Sequence, residues 1–257
     1  MKSTAWTARV AADSAPPEAM PAKGFHVIID GIDGSGKSTI RDALRDFFSA
    51  GGKRVLDVPS IWRERGDYPT SEEIAAADVV CTAEPSTVWV GKAIRAEIIR
   101  TDSAFSNRST AQAFGLDREI HYRKVVLPSR AAGKIVIQDR GVSSSIAYQA
   151  GREDVSLEEV LAIPGNALAL EHSPDLLVLA TLSVDTALSR LAARAGKHDD
   201  SRFERRADLE ALAERYAAAW FREVFTAGGT RIAELSTEPD MAAVRAASVA
   251  LVTSFLT

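Results

Sequence analysis

A glycine-rich loop, Gly31–Ser38, carries the clearest chemical signal in the sequence. It follows an apolar stretch and has the spacing G-x-x-x-x-G-K-S, which is typical of a phosphate-binding loop between a strand and a helix. Its glycines let the backbone curl, so that successive N–H groups can surround an anion. Lys37 would neutralise the β- and γ-phosphates of a nucleoside triphosphate, and the Ser38 hydroxyl would ligate Mg²⁺. The predicted contacts of ATP are Gly31, Gly34, Ser35, Gly36, Lys37, Ser38 and Thr39.

Charged residues further along the chain indicate a site for a second substrate. Arg95 and Arg140 could clamp a phosphate group, because a guanidinium binds phosphate through two hydrogen bonds. Each could equally form a surface salt bridge. Glu84 and Asp139 end predicted strands, where carboxylates can hold Mg²⁺ directly or through water. Asp139 could instead be the buried partner of an arginine.

Phe114 and Arg118 lie four residues apart in a predicted helix. One face of that helix could therefore present a ring and a guanidinium to a flat base. Phe114 could equally belong to an ordinary hydrophobic core. By themselves, these residues support a phosphotransferase with a phosphate-binding loop and a pocket rich in basic and acidic groups.

The composition limits the class of protein further. The 257 residues, 46% of them hydrophobic, are enough for one large α/β domain with a buried sheet. The net charge of −4 gives no overall basic field for nucleic acid. The single cysteine, Cys81, excludes an intrachain disulfide and fits a reducing compartment. No apolar run is long enough to span a membrane, and the first residues lack the apolar core of a secretory signal. We therefore expect a cytoplasmic protein that binds neither membrane nor nucleic acid.

Apolar strands alternate with helices along the chain. The predicted strands are 25–29, 54–58, 78–82, 134–138, 175–181 and 231–235. The predicted helices are 37–49, a short one from Ser71, 91–100, 111–127, 185–194, 207–225 and 239–255. The helix at 111–127 should end before Pro128, which disfavours a helical residue in front of it. This order predicts an α/β fold, in which helices flank a parallel β-sheet in three layers and ligands bind at the carboxyl ends of the strands.

The pattern predicts one folded domain over residues 24–257. Residues 1–23 are rich in Ala and Pro without periodicity, and we expect a flexible tail there. The domain contains a polar stretch at residues 57–78 and a cation-dense segment at residues 190–206. Composition alone would place the cation-dense segment on a solvated helix face.

Several short motifs follow the glycine-rich loop in a specific order. They are TAEPS at 82–86, GKAIR at 91–95, AFGLDR at 113–118, IQDR at 137–140 and SSIAYQ at 144–149. Together with DGIDGSGKST at 30–39, they resemble the motifs of the thymidylate kinase family, in the same order, from about Phe25 to the C-terminus. The resemblance implies a P-loop nucleotide kinase fold and a homodimer.

The resemblance also implies an activity and its site. The enzyme would transfer the γ-phosphate of ATP to a deoxypyrimidine monophosphate, with dTMP as the favoured acceptor, dTDP as the product, and ATP and Mg²⁺ as cofactors. Asp33 would accept a hydrogen bond from the sugar 3′-hydroxyl, while Ser145 and Tyr148 would approach the base edge and the deoxyribose 2′-carbon. The implied acceptor-binding residues are Asp33, Glu84, Arg95, Phe114, Arg118, Arg140, Ser145, Tyr148 and Gln149.

The cation-dense segment at 190–206 would be a lid. The loop positions Ile32 and Ser35 are not arginines, so the loop itself cannot supply an arginine to the transition state. Family members without an arginine in the loop place arginines in the lid, and Arg194 and Arg202 are the predicted equivalents. The predicted catalytic residues are Lys37, Asp33, Arg140, Arg194 and Arg202.

The chain departs from the family pattern mainly around the acceptor. Asp30 replaces a glutamate, Ala83 an arginine and Gly141 an aromatic residue, and residues 57–78 are an insertion. A kinase for a modified deoxynucleotide is therefore one alternative. A catalytically weakened binding protein of the same fold is another.

Two further classes stay open at this point. A deoxynucleoside kinase shares a Glu-Pro with a nearby tryptophan, here Glu84-Pro85 and Trp89, but needs a carboxylate to deprotonate a 5′-hydroxyl. The pair Arg95 and Arg140 favours a monophosphate acceptor instead. A non-kinase NTPase would have switch loops in place of a base-binding platform.

Overall fold

The computed structural model describes residues 24–100, 102–151, 155–193 and 205–256. Within these ranges strands and helices alternate. The strands are β1 (Phe25–Asp30), β2 (Val55–Asp57), β3 (Val79–Ala83), β4 (Ile135–Asp139), β5 (Leu176–Thr181) and β6 (Arg231–Ser236). The helices are α1 (Lys37–Ala50), α2 (Val58–Arg65), α3 (Ser71–Ala76), α4 (Trp89–Ala93), α5 (Asn107–His121), α6 (Leu127–Ala131), α7 (Val142–Gln149), α8 (Leu157–Ala162), α9 (Pro164–Glu171), α10 (Val184–Ala192), α11 (Arg206–Ala217), α12 (Ala219–Thr226) and α13 (Met241–Thr253).

The six strands form one parallel sheet in the order β2-β3-β4-β1-β5-β6. The central strand β1 is buried along its whole length, which its unbroken run of apolar residues requires. Ile29 near its carboxyl end lies beside Asp139 of β4 and Val178 of β5. The predicted parallel α/β fold is confirmed, and the loops after β1, β3 and β4 meet at one edge of the sheet.

Helices cover both faces of the sheet. On one face α1 and α13 pack their apolar sides onto the strands, with Ile40, Leu44 and Phe48 of α1 fully buried. On the other face α7, α8, α9, α11 and α12 contribute to a second core. These two cores hold the sheet rigid, so that the side chains at its carboxyl edge have fixed positions. No helix of the described residues is long and apolar enough to cross a membrane.

The prediction that a helix ends before Pro128 is wrong. The chain forms α5, then a π-helical segment at Tyr122–Val126, and then α6 with Pro128 in its first turn. A proline is tolerated there because the first N–H groups of a helical turn need no helical acceptor. A second π-helical segment, Ile94–Ile98, follows α4 within the predicted helix 91–100.

The predicted single helix at 207–225 is divided into α11 and α12. Ala218 between them has an extended conformation, with ψ of 142°. After this break Phe221 is fully buried and stacks edge-on against Tyr216, with ring centroids 5.2 Å apart. The sequence has neither glycine nor proline at this break. We therefore attribute the break to tertiary packing, which here overrides the local preference for helix.

Residues 57–78 form two short helices beside β3. Trp62 of α2 is buried and meets Tyr68 edge-on at 5.9 Å and His121 of α5 at 6.1 Å. Helix α3 begins with a capping box in which Thr70 and Glu73 satisfy each other's backbone N–H groups. This segment is therefore a small apolar cluster that packs behind β3 and α5.

Candidate active site

The loop after β1 folds as a phosphate-binding loop must. Gly31 and Gly34 have φ values of 145° and 81°, conformations that other L-residues rarely adopt. A Cβ on Gly31 would also lie 2.5 Å from the Ala180 carbonyl oxygen of β5. The loop then leads into α1, whose N-terminal N–H groups have no helical acceptors and can bind an anion.

Lys37 lies folded back over this loop. Its Nζ donates to the Gly31 carbonyl at 3.0 Å and to the Ile32 carbonyl at 2.7 Å. Burial, followed by the nearby charge of Arg140, lowers the pKa of Lys37 to about 8. A bound phosphate would reverse this effect, because an anion beside the ammonium favours its charged form.

Asp30, the residue before the loop, is fully buried and fully hydrogen-bonded. Its carboxylate accepts hydrogen bonds from Ser143 at 2.5 Å, from Ser144 at 2.9 Å and from the Tyr216 hydroxyl at 2.9 Å. It also accepts the Gly31 N–H at 2.8 Å. Although its side chain is shorter than the glutamate of the family pattern, Asp30 connects the phosphate loop to α7 and α11 through these hydrogen bonds.

Arg140, at the end of β4, connects the loop to the acceptor side of the site. Its Nη2 donates to the carboxylate of Asp33, and its Nη1 lies 3.4 Å from the Tyr148 hydroxyl. Tyr148 in turn donates to Asp33 at 3.2 Å. Although burial opposes it, the charge of Asp33 raises the pKa of Arg140. A permanent cation thus lies between the phosphate loop and α7.

Glu84 is the centre of a second, fully buried network. Its Oε2 accepts from Arg118 Nε at 2.8 Å, and its Oε1 contacts His121 Nδ1 at 3.1 Å and accepts from Gln138 Nε2 at 3.0 Å. Burial alone would raise the pKa of Glu84, but the charge of Arg118 and the hydrogen bond from His121 lower it. Glu84 therefore stays an ionised partner of Arg118.

A cavity opens between these two networks. All nine residues predicted to bind the acceptor line it. They come from α5, α7, the π-helical segment Ile94–Ile98 and the loops after β1, β3 and β4: Asp33, Glu84, Arg95, Phe114, Arg118, Arg140, Ser145, Tyr148 and Gln149. Four further lining residues, Pro85, Ile99, Gly141 and Ser144, were not among the residues predicted to bind the acceptor. The cavity's mixture of a ring, hydroxyls and arginines suits a nucleotide ligand.

Arg95 and Gly141 show how the cavity wall is held. Arg95 donates to the backbone carbonyls of Ser86 at 3.1 Å and Pro85 at 2.5 Å. Asp117 accepts the Ser86 N–H at 2.7 Å and so fixes the same loop.

A Cβ on Gly141 would lie 2.7 Å from Ile28 Cδ1, so tight packing against β1 accounts for the glycine there.

The three predicted magnesium ligands lie in different surroundings. Ser38 is exposed in the first turn of α1. Asp139 ends β4 near Lys37, and its carboxylate makes no hydrogen bond or ion pair with the described residues. Both oxygens of Glu84 accept hydrogen bonds from protein donors. Oxygen ligands from Ser38 and Asp139 fit Mg²⁺, which binds few protein groups and completes its shell with phosphate and water. Within the described ranges, no group of three or more acidic, His or Cys side chains could hold a metal alone.

The predicted lid cations Arg194 and Arg202 lie outside the described residues. On either side of that segment, Arg190 donates to the Thr237 carbonyl at 2.6 Å, and Arg206 pairs with Asp185 at 2.6 Å. The last turn of α10 lies beside the phosphate loop, since Arg190 Nη1 lies 3.9 Å from a Cβ built on Gly36.

A parallel sheet with a phosphate-binding loop after its central strand, and a nucleotide-sized cavity beside that loop, defines a P-loop nucleotide kinase fold. A family model described as thymidylate kinase matches residues 69–238. A "Probable thymidylate kinase" of Pyrococcus abyssi (strain GE5 / Orsay) is 33% identical over 192 residues, which cover 73% of this chain and 78% of the relative. A "Thymidylate kinase" of Gluconobacter oxydans (strain 621H) is 32% identical over 239 residues, covering 93% of this chain and 98% of the relative. The chain belongs to the thymidylate kinase family.

Proposed function

We propose that this chain transfers the γ-phosphate of ATP to dTMP and releases ADP and dTDP. The observation that carries the proposal is the cavity between the two networks, whose lining includes the ring of Phe114 and the arginines Arg118 and Arg140. A base can stack on the ring, and a phosphate needs a permanent cation near the donor. The names of the relatives support the identity of the acceptor.

The donor half of the reaction belongs to the phosphate loop and Lys37. Phosphoryl transfer depends on positioning and on neutralising the charge of the transferred group. The ammonium of Lys37, now bonded to the carbonyls of Gly31 and Ile32, would turn to the β- and γ-phosphates of ATP. Mg²⁺, held by Ser38 and Asp139, supplies further neutralisation of the phosphates when it is bound.

The acceptor half belongs to the cavity. Arg140 would hold the monophosphate of dTMP next to the phosphate loop, because its pairing with Asp33 already places the guanidinium there. Asp33 would accept a hydrogen bond from the sugar 3′-hydroxyl. Tyr148 would leave too little space for the 2′-hydroxyl of a ribose. Arg118, fixed by Glu84, would donate to the base. The lid arginines Arg194 and Arg202 would add positive charge in the transition state.

A deoxynucleoside kinase is not favoured by this geometry. Such an enzyme needs a carboxylate that can accept the proton of a 5′-hydroxyl. Glu84, the carboxylate before the proline, is bound by Arg118, His121 and Gln138, and its pKa is lowered. Trp89 beside it is half exposed and packs against Tyr68 at 5.1 Å, with no place in the cavity lining.

We also propose that the protein is a homodimer that works in the cytoplasm. Exposed apolar side chains on or near α4 and α5 support the dimer: Trp89 is 49% exposed, and Phe105 and Leu116 are each 51% exposed. The free thiol of Cys81 suits a reducing compartment. Light scattering at micromolar concentration should give twice the 27.6 kDa of one chain, and a mass near 27.6 kDa would contradict the dimer.

A coupled assay of ADP release with a panel of acceptors tests the proposed activity. We expect turnover with dTMP and weaker turnover with dUMP. Thymidine and purine monophosphates should give turnover only near background. Turnover of thymidine, or of a purine monophosphate in place of dTMP, would overturn the proposal while leaving the phosphate loop assignment intact.

A further inference from the structure

Arg118 lines the acceptor cavity, and its guanidinium is almost completely hydrogen-bonded within the protein. A guanidinium carries five N–H donors. Nε donates to Glu84 at 2.8 Å, and Nη2 donates to the Gly141 carbonyl at 3.0 Å. Nη1 donates to Ser145 at 2.9 Å and to Oδ1 of Asn166. Among the described residues, one N–H of Nη2 is left without a protein acceptor.

Asn166 is completely buried, and its amide can have only one orientation. Its Nδ2 donates to the Val160 carbonyl at 2.7 Å, and its Oδ1 accepts from Arg118. A carbonyl only accepts hydrogen bonds and a guanidinium only donates them, so exchanging the amide oxygen and nitrogen would break both contacts. The amide oxygen of Asn166 is therefore a fixed acceptor at Nη1 of Arg118, while Glu84 is the acceptor at Nε.

Two glycines allow Asn166 to reach Arg118. Helices α5 and α9 cross so closely that a Cβ on Gly165 would lie 1.8 Å from the Gly115 carbonyl oxygen. A Cβ on Gly115 would lie 2.2 Å from Ile163 Cγ2. Asn166 directly follows Gly165, so this close approach brings its amide to the guanidinium of α5. The motifs recognised in the sequence include Gly115 but neither Gly165 nor Asn166.

We propose that Asn166 is a positioning residue for base recognition, which fixes Arg118 so that its one remaining N–H meets a carbonyl oxygen of the acceptor base. This inference rests on the proposed function, because it concerns the same cavity. A pyrimidine with a carbonyl at C4, such as thymine or uracil, offers an acceptor to that N–H. Cytosine has an amino group there, so two donors would face each other and a buried N–H would stay unpaired.

Glu84, Ser145 and Asn166 together prevent the guanidinium from adapting to a different base. Without Oδ1 of Asn166, one Nη1–H loses its acceptor and the guanidinium can rotate toward another partner. The preference for dTMP over dCMP should then fall by a larger factor than kcat for dTMP. A purely structural role for Asn166 would lower stability without changing which base is preferred.

Two substitutions at Asn166 separate these roles. Asn166→Leu removes both hydrogen bonds of the amide, whereas Asn166→Asp removes the donor to Val160 but keeps an acceptor for Arg118. Initial rates with dTMP and dCMP, at saturating ATP and Mg²⁺, give kcat and KM for each acceptor. Calorimetric titration of dTMP without ATP measures binding directly, and Asn166→Ala replaces Asn166→Leu if the leucine variant does not fold.

We expect Asn166→Leu to raise the KM for dTMP about tenfold, to lower the preference for dTMP over dCMP about tenfold, and to leave the KM for ATP unchanged. Asn166→Asp should keep the preference of the unsubstituted enzyme. Equal changes in both variants, or an unchanged preference in Asn166→Leu, would overturn the positioning role. Failure of the unsubstituted enzyme to use dTMP would instead overturn the proposed function.

Discussion

The donor and acceptor halves of the site are built in different ways. The donor half is one continuous loop, Gly31–Ser38, whose backbone N–H groups and single lysine would face the phosphates of ATP. The acceptor half is assembled from side chains of α5, α7, the π-helical segment after α4 and the loops after β1, β3 and β4. Its cations are already paired, Arg140 with Asp33 and Arg118 with Glu84.

This difference explains how each half tolerates change. A backbone loop needs only its glycines, its lysine and its hydroxyl, so the chain around it can vary. A cavity of paired charges depends on every partner, because removing one leaves a buried charge without compensation. The departures from the family pattern at Ala83 and Gly141 lie on the acceptor side: Ala83 directly precedes Glu84, and Gly141 lines the cavity.

The largest effect should come from the donor half. Lys37→Ala removes the ammonium that neutralises the β- and γ-phosphates, and turnover should fall at least about a thousandfold while dTMP still binds. Lys134→Ala is the control, because Lys134 Nζ also donates to a backbone carbonyl, that of Ala75 at 2.9 Å, away from the site. Steady-state rates and a dTMP titration check this. Turnover of Lys37→Ala within about tenfold of the unsubstituted enzyme would contradict the role of the loop.

In the acceptor half, Arg140→Ala should separate the two substrates. Loss of this cation should lower kcat/KM for dTMP about a hundredfold, whereas the KM for ATP should change far less. Arg130→Ala is a matched control, since Arg130 pairs with Asp175 at 3.3 Å at the opposite edge of the sheet. Varying each substrate at saturation of the other gives the two constants. Equal losses for both substrates would show that Arg140 is not an acceptor clamp.

The acceptor half also depends on a helix crossing outside the cavity. Gly165→Ala would place a Cβ 1.8 Å from the Gly115 carbonyl, which forces α9 away from α5 and should lower the free energy of unfolding by about 3 kcal/mol. Gly52→Ala, at φ 77° with no atom within 4 Å, should cost only about 1 kcal/mol of backbone strain. Urea denaturation measures both values. Similar losses in the two variants would mean that the crossing is loosely packed.

The smallest expected effect is a pH dependence of stability that comes from His26. This residue begins a buried series of hydrogen bonds that leads to Glu84 in the acceptor half. His26 contacts Gln138 at 3.0 Å, and Gln138 donates to Glu84 at 3.0 Å. Burial, followed by the charge of Arg130, lowers the pKa of His26 from 6.5 to about 3. The unfolded chain therefore binds a proton below pH 6.5 that the folded protein does not, and stability falls as the pH drops from 6.5 toward 3.

His26→Gln should remove this contribution. Between pH 6 and pH 5 the unsubstituted protein should lose up to about 1.4 kcal/mol more stability per pH unit than the variant, with no difference in slope above about pH 7. Urea denaturation at several pH values measures the slopes. Parallel curves for the two proteins below pH 6 would show that His26 is protonated in the folded state.

Local sequence was enough to predict the donor half and the parallel α/β fold. The spacing from Gly31 to Ser38 determines the loop by itself, and the apolar strands determine the sheet. The lining of the cavity followed from several short motifs in order, and not from any one of them. Their roles in binding dTMP stay predictions until substrates are measured.

Other features depend on contacts that no local pattern contains. Glu84 is bound by Arg118 because the fold brings the residue after β3 to the side chains of α5, so its sequence position alone left it open as a magnesium ligand. Asn166 reaches the site through a helix crossing between residues far apart in the chain. The break at Ala218 and the continuation through Pro128 result from packing that overrides local preference.

Transfer of label from [γ-³²P]ATP tests the central claim most directly, that the cavity presents an acceptor monophosphate to a donor bound at the phosphate loop. The protein is incubated with labelled ATP, Mg²⁺ and either dTMP or thymidine, and the products are separated by chromatography. We expect the label in dTDP with dTMP, and no labelled nucleotide product with thymidine. Label in dTMP made from thymidine, or label only in inorganic phosphate when dTMP is present, would contradict the account.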